Sequence, residues 1–391
     1  MSPLLQPRSS RVPGTELWCV LRHATPAFVP FTGRSAQGQQ HERAVPARCQ
    51  ALTPWSWPAE DSSEPWSRFG RYCDSVAGDS EGSDLRQRSL EGVVQVFLVV
   101  GATGELGGRI IRLLRADGHD VRCLVRAGTD DEGLLEVGAT VVRGDLTDRS
   151  SLRAACEGVD TVVATAAAIA RILAGRRTPT IRETDEVGML ALVDSAEAAG
   201  VQRFVYISGP DLDARLGPMD RAKLAVESRL GASPMQTVVI RSDAFQEVHL
   251  APIGRFDMAA GKVSVIGHGN TPRRWIAIDD VAALMAAVAV EADPPAMLTV
   301  GGPEAMTKME AVALAEQLTR RKLKVQRMPR PVARLASRLL ARRYDALATA
   351  FGAGLHQDTV TATWDDAPLR ERGITPRSAS DFIREQARDL A

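Results

Sequence analysis

Val96-Phe97-Leu98-Val99-Val100-Gly101-Ala102-Thr103-Gly104-Glu105-Leu106-Gly107 decides the fold. Five apolar residues run straight into glycines spaced Gly-x-x-Gly-x-x-Gly, and a helical pattern, Leu106 to Asp117, opens on the last of them. The bare spacing is weak evidence; the strand before it and the helix after it give it meaning. In a strand-turn-helix unit the first glycine permits the tight turn, the second lets backbone approach a pyrophosphate, and the third allows close packing of helix on strand. The helix N-terminus then offers unpaired N–H groups and the positive end of its dipole to a phosphate, worth about 0.3–2 kcal/mol.

Outward from this turn, apolar runs alternate with helical patterns. Strands are expected at Val96 to Val100, Asp120 to Val125, Thr140 to Arg143, Thr161 to Ala164, Phe204 to Ser208 and Thr237 to Arg241. Helices are expected at Leu106 to Asp117, Ser151 to Glu157, Asp185 to Ala199 and Arg221 to Leu230. That alternation is the signature of βαβ units and predicts an α/β Rossmann fold, a doubly wound parallel sheet of six strands over residues 96–250. Residues 251–391 give shorter elements: Lys262 to Ile266, Asp279 to Ala292, Leu298 to Val300, Lys308 to Arg320, Pro331 to Leu347 and a helix from Ser378. They predict a smaller C-terminal α/β substrate lobe, interleaved with the core and covering the carboxyl edge of the sheet.

The second strand refines the ligand. A site for NAD usually ends this strand with a carboxylate that bonds the ribose 2′-hydroxyl; here Arg126 stands there, which suits a 2′-phosphate and predicts NADP. Asp130 and Asp131, a few residues on, keep NAD as the alternative. After the third strand, Gly144-Asp145-Leu146 either flanks the adenine or begins a helix cap through Asp145 and Thr147.

Composition sets limits. Apolar residues make up 45% and charged residues 25%, and the formal net charge is zero, so a nucleic-acid partner dependent on counterion release is not expected. Five cysteines show no C-x-x-C or Cys/His ligand spacing, which predicts neither disulfides nor a metal site and suits a reducing cytoplasm. The longest apolar stretch, Val281 to Val290, is far short of the roughly 20 residues of a membrane span, and no membrane partner is expected. The basic run Arg320 to Arg327, with Arg330, Arg342 and Arg343 beyond it, reads as a solvated helix end and edge strand. The first 95 residues carry four of the six tryptophans among scattered Pro, Arg, Ser and Gln without helical or strand periodicity. They are read either as a disordered extension or as residues upstream of a true start near Val96.

Taken together, Gly101-Ala-Thr-Gly-Glu-Leu-Gly107, Leu124-Val-Arg126, Gly144-Asp-Leu146, Phe204-Val-Tyr-Ile-Ser208 and Arg241-Ser-Asp-Ala-Phe-Gln-Glu247 resemble the atypical short-chain dehydrogenase/reductases, and among them the NmrA-like group. The helix Arg221 to Leu230 and Trp275-Ile-Ala-Ile-Asp-Asp280 are similar as well, so the resemblance spans residues 96 to about 390. It implies cofactor contacts at Gly101, Thr103, Gly104, Glu105, Leu106, Gly107, Arg126, Asp145, Leu146, Ala166 and Lys223. Members with full oxidoreductase chemistry carry Tyr-x-x-x-Lys on one helix face; this chain keeps Lys223 but has Met219 in the tyrosine position. A thioether donates no proton, and loss of a positioned acid typically costs about 10²–10⁴ in rate.

Two readings follow. One is an NADPH-dependent reductase of a small carbonyl, enone or quinone-like substrate, with Lys223 and Ser208 as the catalytic candidates and the proton coming from water or Lys223. The other is a non-catalytic NAD(P)-binding sensor. His249 and His268 fall after the sixth strand, where substrate would sit; the neighbours of His268 predict a turn. Glu247 reads first as a structural carboxylate. Oligomeric state has no signal in the sequence.

Overall fold

The computed structural model describes residues 95–173, 178–213 and 215–390. The expectation for residues 1–95 therefore falls, apart from Gln95, outside the described residues.

The first strand, β1 (Val96–Val100), shows how sequence builds the core. Its side chains alternate across the sheet: Phe97 and Val99 enter one apolar cluster, Leu98 and Val100 another, all almost fully buried. A strand apolar on both sides must be covered on both sides, as parallel sheets are. On the Phe97 side lie helices α1 (Glu105–Ala116) and, from far along the chain, Ile278–Val290. On the Leu98 side lie the helices that follow the third, fourth and fifth strands. Helix α1 buries Leu106, Gly107, Ile110, Ile111 and Leu114, a stripe at 3–4-residue spacing, and stops at Gly118, whose φ of +83° lets the chain turn into β2 (Asp120–Val125).

The chain continues through α2 (Glu132–Glu136), β3 (Thr140–Arg143), α3 (Arg149–Cys156), β4 (Thr161–Ala164) and the short α4 (Ile169–Leu173). A π-helical stretch, Arg182–Gly188, then leads into α5 (Met189–Ala198), followed by β5 (Arg203–Ser208), α6 (Pro218–Gly231) and β6 (Gln236–Ser242). After α7 (Gln246–His249) come β7 (Phe256–Asp257), β8 (Lys262–Ile266), α8 (Ile278–Val290) and β9 (Met297–Val300). The last elements are α9 (Lys308–Thr319), β10 (Lys324–Met328), α10 (Arg330–Leu340), α11 (Asp345–Thr359), α12 (Ala367–Arg370) and α13 (Ala379–Arg388).

The main sheet is parallel, in the order β3-β2-β1-β4-β5-β6-β9. It has seven strands where six were expected: β9, assigned to the C-terminal lobe, pairs in parallel with β6. The expected helix Pro331 to Leu347 is two helices, α10 and α11, separated at residues 341–344. What remains of the lobe is a small sheet, β10-β8-β7, whose own core joins Phe256, Val263, Val265, Trp275, Met306, Val312, Phe382 and Ile383. Strand order reverses between β1 and β4, and the turns that leave these two strands face one another there, where ligands of open α/β sheets bind.

Candidate active site

The turn after β1 is built to lie against backbone. Gly101 has φ of +99°, and a Cβ there would stand 2.6 Å from the amide N of Ala166, in the segment leaving β4. A Cβ on Gly107 would stand 2.2 Å from the Gly101 carbonyl oxygen, so only glycine lets α1 sit this close to β1. Gly104 turns its N–H back onto the Gly101 oxygen (3.0 Å) and begins α1 without any side-chain cap. The next three amides, of Glu105, Leu106 and Gly107, have no carbonyl one turn earlier in the helix to accept from them. Thr103, Gly104 and Glu105 are exposed. The rim of this backbone N–H cradle, at residues 103–105, is open to solvent, with Leu106 and Gly107 buried behind it, and it fits a diphosphate. The Glu105 carboxylate, an anion at the same helix end, is held by Arg109 (2.5 Å), which also pairs with Asp279 of α8; what Glu105 offers a ligand is its amide.

Beside the cradle, Arg126, Gly128, Thr129, Arg143, Gly144, Asp145, Asp148 and Ser151 line an open cleft of about 470 Å³. Arg126 is exposed, and its side chain makes no hydrogen bond or ion pair among the described residues. Arg143, which the motifs did not single out, joins it because β2–β3 register sets Val125 opposite Arg143. Arg143 donates to the carbonyls of Arg126 (3.2 Å) and Thr129 (3.1 Å) and pairs with Asp131 at 2.6 Å. That ion pair engages one oxygen of Asp131, so a ribose would share this carboxylate with Arg143. Asp145 spends its carboxylate on the amide and hydroxyl of Thr147 (2.8 and 2.7 Å), whereas the cap of α3 is Asp148, through Ser150. Leu146 also differs from expectation, since its side chain lies in the core with Leu124 and Met189 rather than along the cleft.

The second half of the site gathers at the carboxyl ends of β4, β5 and β6. Lys223, half-buried on α6, donates from Nζ to the carbonyl of Ile207 (2.8 Å) and stands 5.2 Å from the centre of the Tyr206 ring. Desolvation holds its ammonium below the ordinary lysine range, against the pull of Asp185, Glu227 and Asp220. Glu227 accepts from Ser208 Oγ (2.5 Å) and, at 2.5 and 3.2 Å, from Arg241. Ser208 is buried and its proton is committed to Glu227, so it holds this network together; that corrects its expected role as the group that polarises a carbonyl. Asp185, in the π-helical stretch, is also buried and accepts from the amide of Ala168 through both oxygens (3.1 and 3.3 Å). Burial raises it to about 6. Sequence reasoning placed Asp185 at a helix start and missed Glu227; irregular helix inside a regular fold is a frequent mark of functional sites and has no sequence signature of its own. Met219 packs with Ile181, Ala222 and Ala346, so the tyrosine position on that face is filled by a thioether side chain in an apolar cluster. Tyr206 does not replace the missing tyrosine, because burial pushes its phenol far above the ordinary range.

The remaining candidates make contacts within the fold. His268 is exposed in a turn flanked by Gly267 and Gly269, both at positive φ, and its backbone wraps Asp358. His249 faces Gln357 (3.1 Å), and burial lowers it to about 3. Glu247 accepts from the amide of Ile278, the first residue of α8, and pairs with Arg377. Asp243 binds Arg273, the amide of Arg274 and the Trp364 indole (3.0 Å), so the Arg241 to Glu247 motif fastens the C-terminal segment to the sheet. Among the described residues no group of His, Cys, Asp and Glu is arranged to hold a metal ion, and no helix is long and apolar enough to cross a membrane.

A parallel sheet with its switch point at an uncapped, glycine-lined helix N-terminus defines a Rossmann dinucleotide-binding protein. Residues 101–292 match a family described as NAD(P)H-binding. The chain is 32% identical over 285 residues to the chloroplastic protein high chlorophyll fluorescence phenotype 244 of Arabidopsis thaliana, covering 70% of this chain and 68% of that one. It is 29% identical over 292 residues to photosystem II assembly factor Ycf39 of Synechocystis, covering 72% and 87%. Among solved structures, AtPrR2 with NADP+ and (+)pinoresinol shares the fold at a TM-score of 0.60 and 22% identity, over 75% of this chain and 99% of that one. An NADPH-dependent quinone oxidoreductase from Escherichia coli does so at 0.57 and 18%, over 74% and 99%. The chain belongs to the NAD(P)H-binding family, and its Rossmann domain binds NAD(P)H.

Proposed function

We propose that this chain is an NADPH-dependent reductase of a small carbonyl, enone or quinone-like substrate, of the atypical short-chain dehydrogenase/reductase type, with Lys223 as its catalytic residue. The observation that carries the reading is Lys223 itself, an ammonium fixed to the Ile207 carbonyl at the sheet's carboxyl edge and ringed by Asp185, Glu227 and Asp220. A lysine whose ammonium is held below its ordinary range by desolvation is a stronger acid than an exposed one. The nicotinamide, when bound, supplies the hydride. The amides of residues 105–107 hold the diphosphate, and Arg126 with Arg143 receives the 2′-phosphate. Lys223 stabilises the negative charge that develops on the substrate oxygen and passes it a proton, which water replaces. Conjugated substrates suit a site without the tyrosine, because an enolate or hydroquinone anion needs less help from an acid than a simple alkoxide does.

The name of the Escherichia coli neighbour, a quinone oxidoreductase, agrees with this substrate class. Cys123 and Cys156 are free and buried, and burial pushes each thiol up to about 12, so neither offers a thiolate to the chemistry. One observation favours a second reading, a sensor that binds NAD(P) without turnover: Met219 fills the acid's place with packed hydrocarbon. Titration with NADPH and NADH, followed by NADPH oxidation against a panel of quinones and enones, decides between them. Turnover lost in Lys223→Ala supports the reductase. Tight NADPH binding with no acceptor reduced supports the sensor.

A further inference from the structure

Residues 320–344 hold ten arginines and lysines and not one acidic residue, in a chain whose total charge is zero. The fold gives this run a shape: β10 at the edge of the small sheet, then Pro329, then helix α10. Ala333 and Ser337, one turn apart, form the buried side of α10, and Ser337 Oγ donates to the Leu216 carbonyl at 2.6 Å. The outer side carries Leu335 and Leu339, also one turn apart, at 58% and 70% exposure. Arg334, Arg338, Arg342 and Arg343 are exposed around them, and none has an ion pair among the described residues. A merely solvated face accounts for the arginines but not for the leucines, since an amphipathic helix of a free surface turns its leucines inward.

We propose that the outer face of α10 seats the protein on an anionic lipid surface. A helix lying in such an interface combines large apolar side chains, which enter the acyl boundary, with arginines that meet lipid phosphates, and each cation near the surface adds to the attraction. The alternatives fit less well. Two-fold pairing with a second copy sets the same four arginines against each other without a carboxylate between them. A nucleic acid matches the charge but leaves Leu335 and Leu339 with nothing apolar to cover them. The association is peripheral and requires no membrane span. Helix α10 packs on α11, and α11 on the Lys223 helix α6, so the lipid surface lies one helix away from the element that carries Lys223.

Vesicle sedimentation tests the proposal. The full chain is expected to pellet with phosphatidylcholine vesicles containing about 30% phosphatidylglycerol, not with phosphatidylcholine alone, and to be released as salt rises. Leu335→Ser with Leu339→Ser should weaken partition about tenfold or more, and Arg338→Gln with Arg342→Gln comparably, at an unchanged thermal midpoint. Both pairs are exposed, so an unfolded variant is not expected, and the midpoint shows whether one arises. The proposal is overturned if the wild-type chain stays in the supernatant at low salt. It is equally overturned if the leucine pair leaves binding intact while duplex DNA competes with the vesicles, which would make the face a nucleic-acid surface.

Discussion

Replacing Arg126 by alanine offers a clean test of how the cleft reads its ligand. The side chain is exposed and makes no hydrogen bond or ion pair among the described residues, so its loss should shift stability by no more than about 0.5 kcal/mol. What it should remove is a charge-assisted contact with the 2′-phosphate, worth about 1.5–3 kcal/mol in general. Exposure argues for the low end, because solvent screens the pair. About 1.5 kcal/mol is roughly a tenfold weaker Kd for NADPH, while NADH, which has no 2′-phosphate, should bind within about twofold of wild type. Arg143 makes the reasoning sharper. It already pairs with Asp131 and braces the Arg126 and Thr129 carbonyls, so Arg143→Ala should cost some NADH affinity as well. Cofactor fluorescence titrations at fixed ionic strength measure the dissociation constants of both cofactors for wild type and the two variants. An unchanged NADPH-to-NADH ratio in Arg126→Ala, or equal loss of both cofactors, would refute the assignment of this arginine to the 2′-phosphate.

Gly107→Ala places a Cβ 2.2 Å from the Gly101 oxygen, which forces α1 back by about 1 Å; we expect a loss of about 1–3 kcal/mol in urea unfolding and weaker binding of both cofactors. Retained affinity would show that the close approach is not needed. The pH dependence of stability carries a signature of Asp280, which burial raises to about 7 although it accepts from the amide of Arg377. Between about pH 4 and 7 the folded chain keeps a proton that the unfolded chain releases, so this group's contribution falls as pH rises through that window and stays lost above it. Asp280→Asn keeps the acceptor without the charge, so it should match wild type below about pH 4 and exceed it at about pH 8, by no more than about 4 kcal/mol. The same urea-midpoint difference at both pH values would contradict this.

Much of the architecture was legible in the sequence because a parallel sheet leaves strong local marks. Val96 to Val100 is apolar on both faces, and Gly101 and Gly107 sit where no Cβ fits. The errors have physical causes. β9 is four residues long and distant in sequence from its partner β6, so its membership of the main sheet depends on long-range pairing rather than on pattern. Helices α10 and α11 merged in the reading because their apolar spacing continues across the break. Within the site, the glycine turn and Lys223 were visible as motifs. Arg143 was not, since only strand register brings it beside Arg126. Nor were the commitments of Ser208 to Glu227 and of Asp131 to Arg143, which join residues from separate elements.

The central claim rests on Lys223, and single-turnover mixing of the NADPH-loaded chain with a quinone or enone acceptor tests it most directly. Oxidation of NADPH in the wild-type chain that slows about 10²-fold or more in Lys223→Ala, with the Kd for NADPH changed much less, is the predicted result. Equal rates in both proteins, or no oxidation with any acceptor despite tight NADPH binding, would contradict it.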